Sequence, residues 1–238
     1  MKILALECSA TAASAALCEN GKIISSSFVN IKLTHSQTLL PMVQNTLSAA
    51  KCDINEVEGV AVSSGPGSFT GVRIGISAAK GIAAPGGLPC VGVSTLLSMA
   101  YNLVGTDCTA CAVMDARCGQ LYNAIFDITD GRITRICDDR AVTCEELEKE
   151  IKKMSQNTDK RVIIVGDGTN VFLPFVCDLP GVLPACEALR YQNAVSVALA
   201  ADEMFKNGET VTPDGLLPVY LRLPQAQREL KLKKEGIV

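Results

Sequence analysis

The chain has no tryptophan, a single histidine and only 4% aromatic residues among its 238. A lone His35 cannot supply an H-E-x-x-H pair, which excludes a zinc-peptidase centre of that kind. There is no G-x-S-x-G elbow for a serine nucleophile and no Gly-Lys-Ser/Thr ending for a Walker-type phosphate loop. His35 stands beside Ser36, but adjacent residues on a helix point in different directions and do not make a nucleophile–base pair. Cys118 follows Arg117 with no histidine placed as its base, which argues against a cysteine hydrolase. No apolar run is long enough to span a bilayer, and the first residues lack the basic region and cleavage site of a secretory leader. A net charge of −3 gives no basic surplus, so any service to RNA would draw its phosphate contacts from a partner.

What the chain does have is 48% hydrophobic residues, enough for one large core or two modest ones, and 11 cysteines scattered without a framework. Free thiols in a reducing cytoplasm are the natural reading of that odd number. Cys108 and Cys111 form a lone C-x-x-C, short of the further ligands that zinc requires, and no metal site is expected. Along the chain, strands are predicted at 2–7, 13–18 and 22–29, with Asn20-Gly21 as a hairpin turn. A helix follows at 34–51, with Thr34 and Gln37 at capping-box spacing and Pro41 set to kink it or mark its first turn. Next come a strand at 57–64, a helix at 68–84, a strand at 88–93 and a helix at 94–103. The second half reads as strands at 110–115, 120–126 and 133–137, a helix capped by Thr143 and Glu146, a strand at 161–165 ending in Gly166-Asp167-Gly168, and a late helix at 193–206.

Each half therefore reads strand, strand, strand, helix, strand, Gly-rich turn, and each first strand ends on an acid, Glu7 or Asp115. This predicts an α/β chain of two similar lobes, mixed sheets flanked by helices, with residues 1–104 as the first lobe, completed by 209–238, and 105–208 as the second. Duplicated lobes in this order resemble the actin, sugar-kinase and heat-shock ATPase superfamily, the actin-like (ASKHA, ribonuclease-H-like) plan. A cleft between them is the expected ligand site. In that superfamily the turn after the first strand holds phosphate. Here Glu7, Ser9 and Thr11 occupy it, and Gly65, Gly67 and Arg73 extend the candidate phosphate set. The plainer reading of 7–11 is a tight turn with local hydrogen bonds.

Residues 65–75, Gly-Pro-Gly-Ser-Phe-Thr-Gly-Val-Arg-Ile-Gly, admit three readings. A Gly-rich turn at a helix N-terminus can present amides to an anion. The small residues Gly71, Gly75 and Ala79, four apart with Ala78 beside them, can let the helix lie close on the chain's own sheet or on another subunit's helix. Glycines inside a helix cost about 1 kcal/mol each relative to alanine, so packing must offset them. The neighbouring helix carries Leu39, Leu40, Met42, Val43, Thr46 and Leu47 around much of its circumference, more than one buried face needs. Leu39, Leu40, Val43, Leu47, Gly71, Val72, Ile74, Gly75, Ala78 and Ala79 are thus the candidate partner surface, on which Gly75→Leu would block a partner and spare the fold.

Ile3-Leu4-Ala5-Leu6-Glu7, the 65–75 block, His35-Ser36 with Leu39-Leu40-Pro41, Val91-Gly92-Val93-Ser94-Thr95-Leu96, Met114-Asp115-Ala116-Arg117 and Leu217-Pro218-Val219-Tyr220-Leu221-Arg222 resemble the TsaB (YeaZ) family nearly end to end. The resemblance implies a subunit of the tRNA threonylcarbamoyladenosine machinery that has no catalytic residues of its own. Its partner would be the catalytic paralogue TsaD, with the ATPase TsaE reached through the complex, and it would form a homodimer when alone. It further implies tRNA contact mainly through the complex, no membrane, no cofactor held tightly by the isolated chain, and ATP or ADP only in the assembled complex. TsaD has a metal-binding H-x-x-x-H where this chain has Thr95 and Met99. Glu7 departs from the family's usual aspartate. Nothing supports the peptidase chemistry of the older glycoprotease naming. The alternative is a stand-alone actin-like ATPase or small-molecule kinase acting through Glu7, Ser9 and Thr11. A basic tail, Lys231, Lys233 and Lys234, reads as a solvated terminus or, in the minority case, an RNA contact.

Overall fold

A computed structural model describes residues 1–157 and 160–222; the basic tail lies outside them. The first sheet comprises β1 (Lys2–Glu7), β2 (Ala13–Glu19), β3 (Lys22–Val29), β4 (Gly59–Gly65) and β5 (Cys90–Ser94), in the order β3-β2-β1-β4-β5. The second comprises β6 (Cys108–Asp115), β7 (Gln120–Thr129), β8 (Arg132–Arg135), β10 (Val162–Val165) and β11 (Val182–Pro184), in the order β11-β10-β6-β7-β8. β9 (Arg140–Thr143) pairs with β7 beside β8. The two orders are the same plan twice, antiparallel at the hairpins and parallel across the crossovers.

On the outer face of the first sheet lie α1 (His35–Ala49) and α2 (Phe69–Ala83), whose Leu39, Val43, Val72 and Ala79 pack against Leu4, Leu6, Val60 and Val62. On the outer face of the second lie α4 (Cys144–Gln156) and α5 (Thr169–Val176), burying Leu147, Ile151 and Phe172 over Val113 and Ile164. The capping box at Thr143 and Glu146 forms as predicted: Glu146 N–H donates to Thr143 Oγ1 at 3.2 Å, and Thr143 N–H to the Glu146 carboxylate at 3.0 Å. Thr143→Ala should cost about 1 kcal/mol, read from the urea midpoint. The box expected at Thr34 does not form. The Thr34 side chain caps nothing, Gln37 N–H bonds the Thr34 carbonyl instead, and Pro41 lies inside α1 rather than at its first turn.

The inner faces are covered crosswise. α3 (Thr95–Tyr101), which follows the last strand of the first sheet, packs Leu96, Met99 and Ala100 on Ala110, Ala112, Met114 and Phe126 of the second. After the short α6 (Glu187–Arg190), helix α7 (Ala194–Lys206), the last among the described residues, packs Val197, Ala198 and Ala201 on Ile3, Ala5, Ala61 and Val91 of the first. Residues 105–208 were expected to form the second lobe, yet α7 serves the first sheet.

The C-x-x-C lies within β6. Strand side chains alternate, so residues three apart face opposite sides. Cys108 joins the inner core and Cys111 the outer one, so the two cannot share a ligand. Burial pushes the Cys108 thiol up to about 11 and the Cys8 thiol up to about 12.

Candidate functional site

The two lobes enclose a cleft of about 640 Å³ at the carboxyl ends of β1, β4, β6 and β10. One wall is the β1–β2 turn, with Ser9 and Thr11, and the start of α2, with Gly67, Ser68 and Phe69. The opposite wall carries Asp115, Arg117 and Asp167. The segment after α7 closes one side. Val219 N–H donates to the Ser64 carbonyl at 2.7 Å, Tyr220 stacks on Phe69 at 4.7 Å, and Arg222 Nη1 donates to the Ala116 carbonyl at 2.5 Å. Gly65 makes this path possible: its φ is +118°, and a side chain there would stand 2.3 Å from the Val219 carbonyl oxygen.

Of the candidate phosphate residues, Ser9, Thr11 and Gly67 reach the cleft. Glu7 does not line it. Its buried carboxylate accepts hydrogen bonds from Ser63 Oγ and, at 2.5 Å, from Ser9 N–H, and burial raises its pKa. Arg73 turns toward the closing segment, with Nε donating to Tyr220 Oη at 2.8 Å and its guanidinium 3.9 Å over the Phe69 ring. Gly65 is spent on the approach of Val219.

The expected partner surface needs correction. Leu39, Val43, Leu47, Gly71, Val72, Gly75 and Ala79 are all buried against the chain's own sheet. Gly71 and Gly75 let α2 settle on the end of β1. A Cβ at Gly71 would lie 2.2 Å from the Cys8 carbonyl oxygen, and one at Gly75 would lie 3.0 Å from Cys8 Sγ and 3.1 Å from Val62 Cγ2. Gly75→Leu would therefore strike the core before it met any partner. Of the ten residues, Leu40 is 49% exposed, and Ile74 and Ala78 are partly exposed. Ile74 and Ala78 also touch the first core, at the edge of the outward side of α1 and α2 that Leu40 and Gly81, whose Cβ position is open, mark.

Asp167 is a cleft residue whose role sequence reasoning missed. Burial pushes its carboxyl up to about 6; a 2.6 Å hydrogen bond from Gln192 Nε2 opposes the shift, and the charges of Asp115 and Glu7 add to it. Its one sequence signal was its place after β10, matching the Gly-rich turn after β4. Gln192 carried no signal, because only the return of the chain into α7 brings it there.

A family model described as TsaD, tRNA N6-adenosine threonylcarbamoyltransferase, matches residues 24–229. The tRNA threonylcarbamoyladenosine biosynthesis protein TsaB of Escherichia coli K12 is 33% identical over 236 residues, covering 98% of this chain and all of that protein. The chain belongs to the TsaB family. Among solved structures, YeaZ from Pseudomonas aeruginosa superposes with a TM-score of 0.78 at 28% identity, over 92% of this chain and 99% of that one. The (R)-2-hydroxyglutaryl-CoA dehydratase component A of Acidaminococcus fermentans shares the fold alone, with a TM-score of 0.50 at 12% identity over 85% of this chain and 98% of that one. The duplicated sheets of this TsaB-family chain are the actin-like plan. No described helix is long and apolar enough to cross a membrane.

Proposed function

We propose that this chain is a non-catalytic partner subunit of the tRNA threonylcarbamoyl transferase assembly. It binds TsaD and activates it for transfer of threonylcarbamoyl from its adenylate to the adenosine next to the anticodon in tRNAs reading codons that start with A. The observation that carries the reading is end-to-end similarity to TsaB combined with the content of α3. Where the resemblance to TsaD places an imidazole pair, this chain has Thr95 and Met99, both buried and neither an imidazole donor. TsaD is the direct partner, TsaE joins through it, and tRNA is met mainly through the complex. ATP or ADP belongs to the assembled complex, and the cytoplasm is the compartment of that work.

The partner face is the outward side of α1 and α2, around Leu40, Ile74, Ala78 and Gly81; a second copy of the chain uses the same face when TsaD is absent. The exposed Leu40 and Gly81, with the half-buried Ile74 and Ala78 beside them, permit close helix packing at little cost in desolvation. The double variant Leu40→Glu/Ala78→Glu should lose co-elution with TsaD and lower reconstituted threonylcarbamoyl transfer by at least about tenfold, the equivalent of about 1.4 kcal/mol. Its melting temperature should stay close to that of the parent. Unchanged co-elution would remove this face from the assignment. Transfer by TsaD and TsaE that is equally fast without the chain would remove the function.

A further inference from the structure

We infer that the interlobe cleft binds a small zwitterion, in its simplest form an α-amino acid, with the ammonium on Asp115 and Asp167 and the carboxylate toward Lys32, Arg117 and Arg222. The cleft lining carries both charges, and among its described residues Asp115 and Arg117 meet in a loose, exposed pair at 3.7 Å that a ligand's two charges would open. Asp167 is recessed on the floor, held by Gln192, with Asp115 beside it at the end of β6. Glu7 lies behind the floor and acts on Asp167 through its charge. A free anion seated there would face these carboxylates. The cations stand toward solvent: Lys32 and Arg117 are exposed and Arg222 is half-buried, all three lining the same cleft. A ligand with a positive charge alone would face those in turn. A molecule with both charges a few bonds apart satisfies both sides.

A second observation is independent of charge. Ser9 lines the cleft and is 1% exposed; its Oγ interacts with the Glu7 carboxylate but has no well-formed hydrogen bond to any described residue. Nδ1 of His35, another cleft residue, is likewise buried without a partner among the described residues, while Nε2 donates to the Ala10 carbonyl at 2.7 Å. Buried polar groups are normally paired, so two such atoms on residues lining one cleft mark a place where a polar ligand completes the bonding.

The test uses the whole chain alone and so does not depend on the TsaD reading. Calorimetric titration with L-threonine, whose hydroxyl offers Ser9 a further partner, should show saturable binding. N-acetyl-L-threonine, which lacks the ammonium, and L-threonine amide, which lacks the carboxylate, should each bind at least about tenfold more weakly. Asp115→Asn/Asp167→Asn should weaken L-threonine by a similar factor; if that variant does not fold, the derivative series on the parent chain decides. No saturable heat with L-threonine, or derivatives that bind as tightly as the parent amino acid, would overturn the assignment. So would a folded double variant that binds unchanged.

Discussion

Gly71→Ala should destabilise the chain by about 2–3 kcal/mol, although alanine is the better helix former by about 1 kcal/mol. The added methyl would lie 2.2 Å from the Cys8 carbonyl oxygen, a backbone atom that has no rotamer through which to give way. Helix α2 would have to lift from the end of β1, breaking the contact in which Cys8 Sγ donates to the Gly71 carbonyl at 3.2 Å. Gly81, ten residues along the same helix, is the control. Nothing lies within 4 Å of its Cβ position, so Gly81→Ala should gain up to about 1 kcal/mol from propensity alone. Urea unfolding of the two variants should move the midpoint in opposite directions. A Gly71→Ala midpoint at or above that of the parent would show that α2 does not rest on β1 as described.

Asp167→Asn should stabilise the chain by about 2 kcal/mol at pH 7.5 and by nearly nothing at pH 4. The folded carboxyl titrates at about 6, above the value of about 3.9 for an unfolded aspartate. The folded state therefore holds the proton more tightly. The charge of Asp167 costs nothing below the unfolded pKa, its cost grows as pH rises through the folded one, and it is fully present above. Asparagine keeps an oxygen for Gln192 and removes the charge at every pH. Thermal unfolding of parent and variant across pH 4 to 8 should give curves that converge at the acid end and separate toward neutrality. Parallel curves would mean that Asp167 is solvated like an ordinary surface acid.

The elements were legible wherever spacing and punctuation agreed. Asn20-Gly21 set the first hairpin, Ser68 and Thr143 opened α2 and α4, and the two first strands ended on Glu7 and Asp115 as the duplicated plan required. The segment from α5 to α6 carries no legible periodicity, because its pieces are short and Pro174 stands inside α5. The ridge on α2 is legible in the sequence but its facing is not. Period four groups Gly71, Gly75 and Ala79 on one side of the helix without saying whether that side meets sheet or solvent. Tyr220 and Arg222 were visible as a motif, but their work lies in the stack on Phe69 and the bond to the Ala116 carbonyl, over 100 residues away in sequence for each pair. No local pattern reports such contacts.

The crosswise placement of α3 and α7 has a consequence for how the molecule can be cut. A fragment of residues 1–104 would lose the helix that seals its inner sheet and carry one whose proper seat is missing; the remainder would have the reciprocal fault. Each half is thus the other's chaperone as well as its mirror. The chain should melt in one transition, and two fragments split at residue 104 should be insoluble apart and soluble when produced together.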